Sequence, residues 1–193
     1  MDEMLFFKKN ALLGGLCKEW SNMWAACKDD KEKLVRLVLM QQSAPYFATF
    51  CYQGKGLTKE YCEREFGDFI NGRIFHDCDN VNGYSYGMYI NAPTGLEMAL
   101  DVAQMLWCDN VAVEIPTAKC PILYISNTSD IHLVCDGYNS PHIYHFDDSR
   151  LIIEDADDTC SIVVYRYSRN ATVEKGKYCT TDNIKIFDKE LRL

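Results

Sequence analysis

Six carboxylic acids crowd into twelve residues: Asp147, Asp148, Glu154, Asp155, Asp157 and Asp158, with Arg150 the only cation among them. Acids this dense suit three kinds of chemistry. Two carboxylates held close together act as general acid and base in polysaccharide cleavage. Several oxygens converging on one point bind calcium. A set spread over a surface attracts a basic protein, and a set with no task keeps turns solvated. Catalytic carboxylates on sugar chains need an extended groove, so protein contact is the chemistry this cluster favours over cleavage.

The other chemistry-bearing residues form no motif. His142 and His145 have metal-ligand spacing, but residues three apart on a strand point to opposite faces and no third ligand accompanies them, so no metal is expected. The cysteines, at 17, 27, 51, 62, 78, 108, 120, 135, 160 and 179, contain no CxxC pair. They read as reduced, buried thiols of a cytoplasmic protein. There is no Gly-x-Ser-x-Gly elbow, phosphate-binding loop or GxGxxG. No catalytic residue and no cofactor is assigned.

Charge narrows the partner. The net charge of -8 divides unevenly: residues 1–66 carry 10 basic and 9 acidic groups, 67–163 carry 3 and 15, and 164–193 carry 7 and 4. The middle, at -12, repels phosphate backbones, so direct nucleic-acid binding is not expected and a partner with a basic surface is. Leu12-Leu13-Gly14-Gly15-Leu16-Cys17 resembles a lipoprotein signal, but Leu16 is too large to precede the modified cysteine. Neither a signal peptide nor a membrane span is expected.

With 193 residues, 48% of them hydrophobic, the chain has enough apolar surface for a core. Residues 1–70 carry helical spacing: Leu12, Leu16, Trp20, Met23, Trp24 and Cys27 make one stripe, and Leu34, Leu37 and Val38 another. Asp29 or Asp30 can cap the second helix, Ser43-Ala44-Pro45 ends it, Gln53-Gly54-Lys55-Gly56 turns, and Thr58 can cap a helix over Lys59–Phe66. Residues 71–93 read as turns around short strands. Thr94 and Glu97 form a capping box before Leu96, Ala99, Leu100, Ala103 and Leu106, which predicts a helix, with a strand over 102–107 as the alternative.

From Asn110 onward the chain repeats about every twenty residues. Units start at Asn110, Asp130, Arg150 and Asn170, aligning Val111, Ile131, Leu151 and Ala171, then Val113, Leu133, Ile153 and Val173. A second strand follows each start: Ile122–Ile125, His142–Tyr144, Ile162–Tyr165 and Ile184–Ile186, with Gly137, Asp147, Asp157 and Gly176 among the turn formers between strands. A unit this small cannot bury its own apolar face, but coils stacked about 4.8 Å apart can. The predicted fold class is α+β: helices over 1–70, then a short right-handed parallel β-helix, or β-solenoid, over 71–193. An antiparallel sandwich with evenly spaced strands is the alternative. Cys120 and Cys160 share an offset, as do Tyr124 and Tyr144, which predicts packing ladders.

Gly87-Met88-Tyr89-Ile90-Asn91, Asp136-Gly137-Tyr138, Tyr144–Ser149 and Tyr165-Arg166-Tyr167 resemble segments of small uncharacterised proteins encoded on bacterial phages and mobile elements. The resemblance covers about residues 60–193. It implies a helical N-terminal region before a short solenoid, and brings no activity or catalytic residue with it.

The expected function is therefore a non-catalytic protein-interaction module, in a phage setting an inhibitor of a host defence or nucleic-acid-handling protein, working through an acidic surface. Its candidate contact residues are Asp147, Asp148, Glu154, Asp155, Asp157, Asp158, Tyr144 and Tyr165. A small glycan-active enzyme with paired carboxylates and a structural protein stacking through solenoid ends are the alternatives.

Overall fold

The structure, a computed structural model, describes residues 3–13, 18–27, 30–39, 57–76, 83–92 and 94–190. Twelve strands fall in that range: β1 (Phe75–His76), β2 (Ser85–Ile90), β3 (Leu96–Glu97), β4 (Val102–Leu106), β5 (Val111–Ile115), β6 (Ile122–Ser126), β7 (Asp130–Cys135), β8 (His142–His145), β9 (Arg150–Ala156), β10 (Ile162–Arg166), β11 (Thr172–Cys179) and β12 (Ile184–Asp188). Even-numbered strands form one sheet in the order β2-β4-β6-β8-β10-β12, with β1 at its start, and odd-numbered strands form the other in the order β11-β9-β7-β5-β3. Every pairing is parallel except β1 with β2. The chain runs along one sheet, turns, returns along the other and repeats: a parallel β-solenoid of about five turns.

The pile of like side chains follows from this register. Facing inward, Ala103, Leu123, Ile143, Val164 and Ile186 stack in the even sheet, and Val111, Ile131, Leu151 and Val173 in the odd sheet. Most are fully buried, and each fills the space that the coil above leaves. The coil corners repeat too: Asn91, Trp107, Asn127 and Asp147, which follow successive even strands, all have φ between 50° and 63°. Asn and Asp tolerate this left-handed conformation, whereas Trp107 is strained in it.

The structure corrects the sequence reading at several points. Residues 96–106 are not a helix: they form β3 and β4, and the coils begin at Ser85 rather than Asn110. β4 is buried at all five positions, because one face lies inside the solenoid and the other beneath the helices, so its apolar run lost the alternation of a half-exposed strand. The last coil is longer than twenty residues, and Leu151 aligns with Val173, not Ala171. Cys120 is exposed while Cys160 is buried, so the two do not form a packing ladder.

Gly176 lies inside β11, where the register shifts between Lys175 and Tyr178, and not in a turn. A Cβ there would sit 2.6 Å from the Glu154 Cα. Gly176→Ala is expected to cost about 1–3 kcal/mol in urea unfolding, and a loss below about 0.5 kcal/mol would show that β9 yields freely.

The helices are α1 (Glu3–Leu13), α2 (Lys18–Cys27), α3 (Lys31–Leu39) and α4 (Lys59–Phe66). Their caps are the expected ones: the Asp30 carboxylate accepts from the Lys33 N–H at 3.1 Å, and Thr58 Oγ1 from the Tyr61 N–H at 3.2 Å. Trp24 and Cys27 of the first stripe are buried, but Leu12 and Met23 are exposed. Leu16, the side chains of Trp20 and Val38, and the Ser43–Pro45 and Gln53–Gly56 turns lie outside the described residues. Trp24, Leu34, Val35, Leu37, Cys62 and Phe66 share one core with Met88, Ile90, Val102, Leu106, Tyr124 and Phe146 on the outer face of the even sheet. A second core fills the solenoid interior. No helix among the described residues is long and apolar enough to cross a membrane.

Candidate functional site

Parallel, in-register pairing places Gln104, Tyr124, Tyr144, Tyr165 and Phe187 one above another on the outer face of the even sheet. The strand spacing of about 4.8 Å is close to the preferred separation of offset aromatic rings, so the fold itself makes the stack. Centroids are 4.8 Å apart for Tyr124 and Tyr144, 5.1 Å for Tyr144 and Tyr165, and 5.8 Å for Tyr165 and Phe187. A second, shorter stack joins Phe146 to Tyr167 at 4.9 Å with the rings 11° from parallel, and Tyr167 also stacks on Tyr144 at 6.3 Å.

Helical cover ends partway along this column. Tyr124 is 1% exposed, Tyr144 and Tyr165 are half-buried, and Phe187 is 44% exposed. Burial raises the phenol pKa of Tyr124, Tyr144 and Tyr167 further above its ordinary value. At the open end Lys189 Nζ sits 5.7 Å from the Tyr165 centroid and 5.8 Å from that of Phe187. Arg166 Nε donates to the Asp188 carboxylate at 2.6 Å, which lowers the Asp188 pKa. An open cleft of about 760 Å³ lies beside them, lined by residues that include Arg166, Tyr167, Arg169 and Lys189.

The six acids do not converge. Asp147 and Asp148 lie at the corner before β9, and Asp157 and Asp158 at the corner after it; the seven residues of β9 separate them by about 23 Å at 3.3 Å per residue. Asp147 leaves the candidate contact set altogether: it is 7% exposed, accepts from the Asn127 N–H at 3.1 Å, and burial pushes its pKa up to about 7. Asp148 accepts from Asn170 Nδ2 at 2.7 Å, and Glu154 lies 2.6 Å from His132 Nδ1. Asp157 accepts from the Thr159 N–H at 2.8 Å and from its hydroxyl, and these bonds hold its pKa down. Asp155 and Asp158 remain exposed. Along the outer odd sheet, Arg150 is bidentate to Glu174 at 3.0 and 2.9 Å and 3.8 Å from Asp130, so much of this charge is paired on the chain itself. Among the described residues no group of three or more His, Cys, Asp and Glu has metal-holding geometry.

Of the candidate residues, the structure thus unites Tyr144 and Tyr165 and disperses the acids. Phe146, Tyr167, Phe187 and Lys189 were not singled out from the sequence. Phe187 lies 22 residues after Tyr165 and Tyr165 lies 21 after Tyr144, so a strict period of twenty misses the column. Comparisons with protein families, with curated proteins and with solved structures return no match.

Proposed function

We propose that this chain is a non-catalytic protein-interaction module whose contact surface is the open end of the aromatic column: Tyr144, Tyr165, Tyr167 and Phe187, edged by Arg166, Arg169 and Lys189. The observation that carries this reading is the gradient along one column, sealed by helices at Tyr124 and open at Phe187. Stacked rings lose little conformational entropy on docking, and Tyr and Arg are the residue types on which binding energy concentrates at interfaces. Residues 164–193 carry 7 basic and 4 acidic groups, so the matching partner surface is an apolar centre flanked by carboxylates. In the phage-borne setting that the resemblance implies, that partner is a host protein. Dispersal and pairing of the acids count against the acidic surface as the main contact; the exposed trio Asp155, Asp157 and Asp158 is its remaining form.

Affinity capture from a host lysate at low and high salt separates the two surfaces when three baits are compared: the parent chain, Tyr165→Ala/Phe187→Ala, and Asp155→Lys/Asp157→Lys/Asp158→Lys. Each aromatic truncation at a binding centre costs about 2 kcal/mol, or about thirtyfold in Kd. The aromatic variant is expected to lose the captured protein and the charge-reversed variant to keep it. The opposite pattern would return the function to the acidic corner.

A further inference from the structure

The two ends of the solenoid differ: at the first coil the odd sheet ends in the two-residue β3, which has one neighbour among the described residues, whereas at the last coil both sheets end in longer strands. At the first coil, β1 closes the even sheet with an antiparallel pairing, and Asn71 acts as a strand surrogate, its side chain accepting from the Ile90 N–H and donating to the Ile90 carbonyl, both at 2.9 Å. At the last coil, β11 and β12 each have a neighbour on one side only among the described residues. The interior columns end there in solvent: Ile186 continues the buried run Leu123, Ile143, Val164, yet is 44% exposed. About half of the backbone donors and acceptors of the five-residue β12 and the eight-residue β11 thus point away from the neighbouring strand beside the solenoid interior.

We infer that two copies of this chain join end to end, β12 to β12 and β11 to β11, about a two-fold axis perpendicular to both sheets. Such an axis turns a strand end for end and carries its free edge onto the same edge of the second copy, which is antiparallel pairing. The free edges of β11 and β12 lie at the same end of the solenoid, so a single rotation pairs both, and Val173, Ile184 and Ile186 of the two copies meet across the junction. A single added peptide strand would pair one edge and leave the other open. Charge favours a second copy as the occupant. Residues 172–190 carry Lys175, Lys177, Lys185 and Lys189 against Glu174, Asp182, Asp188 and Glu190, four against four, on a chain whose net charge is -8. Self-association meets no net repulsion at this end, whereas residues 67–163, at -12, repel their own copies. In a junction centred on Ile186, Lys185 lies opposite Phe187 of the second copy, where an ammonium can face the ring. Because the axis is perpendicular to the sheets, both aromatic faces point the same way and form one doubled platform. The inference stands on the strand edges and is independent of the partner-binding reading.

Sedimentation velocity of the full chain over a range of concentrations tests it. The parent chain is expected to sediment as a dimer that dissociates on dilution. Ile186→Lys, which puts a charge into the interior column, is expected to weaken the dimer at least tenfold while leaving the far-UV circular dichroism unchanged. Lys177→Glu/Lys185→Glu, which moves the end from neutral to -4, guards against a misfolded first variant: it is expected to weaken the dimer too, and added salt to restore it. A parent chain monomeric at every concentration, a dimer that survives both variants, or a species that keeps growing beyond two copies would overturn the two-fold junction.

Discussion

Asp147→Asn is expected to stabilise the protein at neutral pH by about 4 kcal/mol and to expose an acid sensitivity that the parent chain conceals. Burial raises the Asp147 pKa from 3.8 to about 7, so the folded state holds a proton that the unfolded state has released. Between those values stability falls as pH rises, by about 1.4 kcal/mol per unit, and stays low above pH 7. His145 has the opposite slope. It is buried in register between Ile125 and Arg166, and among the described residues its ring nitrogens have no hydrogen-bond partner. Burial, helped by the nearby Arg166 charge and opposed by the Ser149 backbone, lowers its pKa from 6.5 to about 4. The unfolded state then takes up a proton that the folded state refuses, and stability falls as pH drops from 6.5 to about 4, by about 3 kcal/mol in all.

Over pH 4 to 6.5 the two slopes cancel in the parent chain. Asp147→Asn removes the first and can still accept from the Asn127 N–H, so relative to the parent its stability rises steadily with pH across that interval. His145→Leu removes the second, and its difference profile slopes the other way. Urea unfolding of the three proteins from about pH 4 to about pH 8 reads these differences. Parallel profiles for parent and variants would show that neither group is buried as described.

Phe146→Ala carries the second large effect. Phe146 belongs to the core that joins the helices to the even sheet and stacks on Tyr167. Emptying that site removes apolar burial and leaves a cavity between rigid layers, a loss of about 3–5 kcal/mol. Phe187→Ala, the same change at the open end of the neighbouring column, is expected to cost no more than about 1 kcal/mol, because the ring is already 44% in solvent. Paired denaturation curves decide it. Equal losses at the two positions would mean that cover does not end where the structure places it.

The coil period was legible in the sequence because parallel register repeats inward side chains: Val111, Ile131 and Leu151 are the same physical position met three times. The coils before Asn110 were not, although the solenoid was placed over 71–193 and a strand over 102–107 was the alternative. Leu96, Leu100, Ala103 and Leu106 have spacing that fits a helix, and only the helices lying over β4 explain why a strand there is buried on both faces. The candidate site was half legible for a related reason. Tyr144 and Tyr165 were visible as strand aromatics, but insertions of one and two residues in the last coils hid their alignment with Phe187. The acids misled because adjacency along the chain is not adjacency in space: Asp148 and Asp157 stand at opposite ends of β9. Nothing in residues 147–158 announces that Asp147 is buried, since its burial comes from the left-handed corner stacked on Asn127 one coil below.

Hydroxyl-radical footprinting read residue by residue along the aromatic column is the most direct test, first on the chain alone and then on its complex with the captured partner. Oxidation is expected to rise in the order Tyr124, Tyr165, Phe187, and to fall at Tyr165 and Phe187 when the partner binds while exposed Asp158 lies outside the footprint. Uniform reactivity along the column, or protection confined to the Asp155–Asp158 corner, would contradict the account.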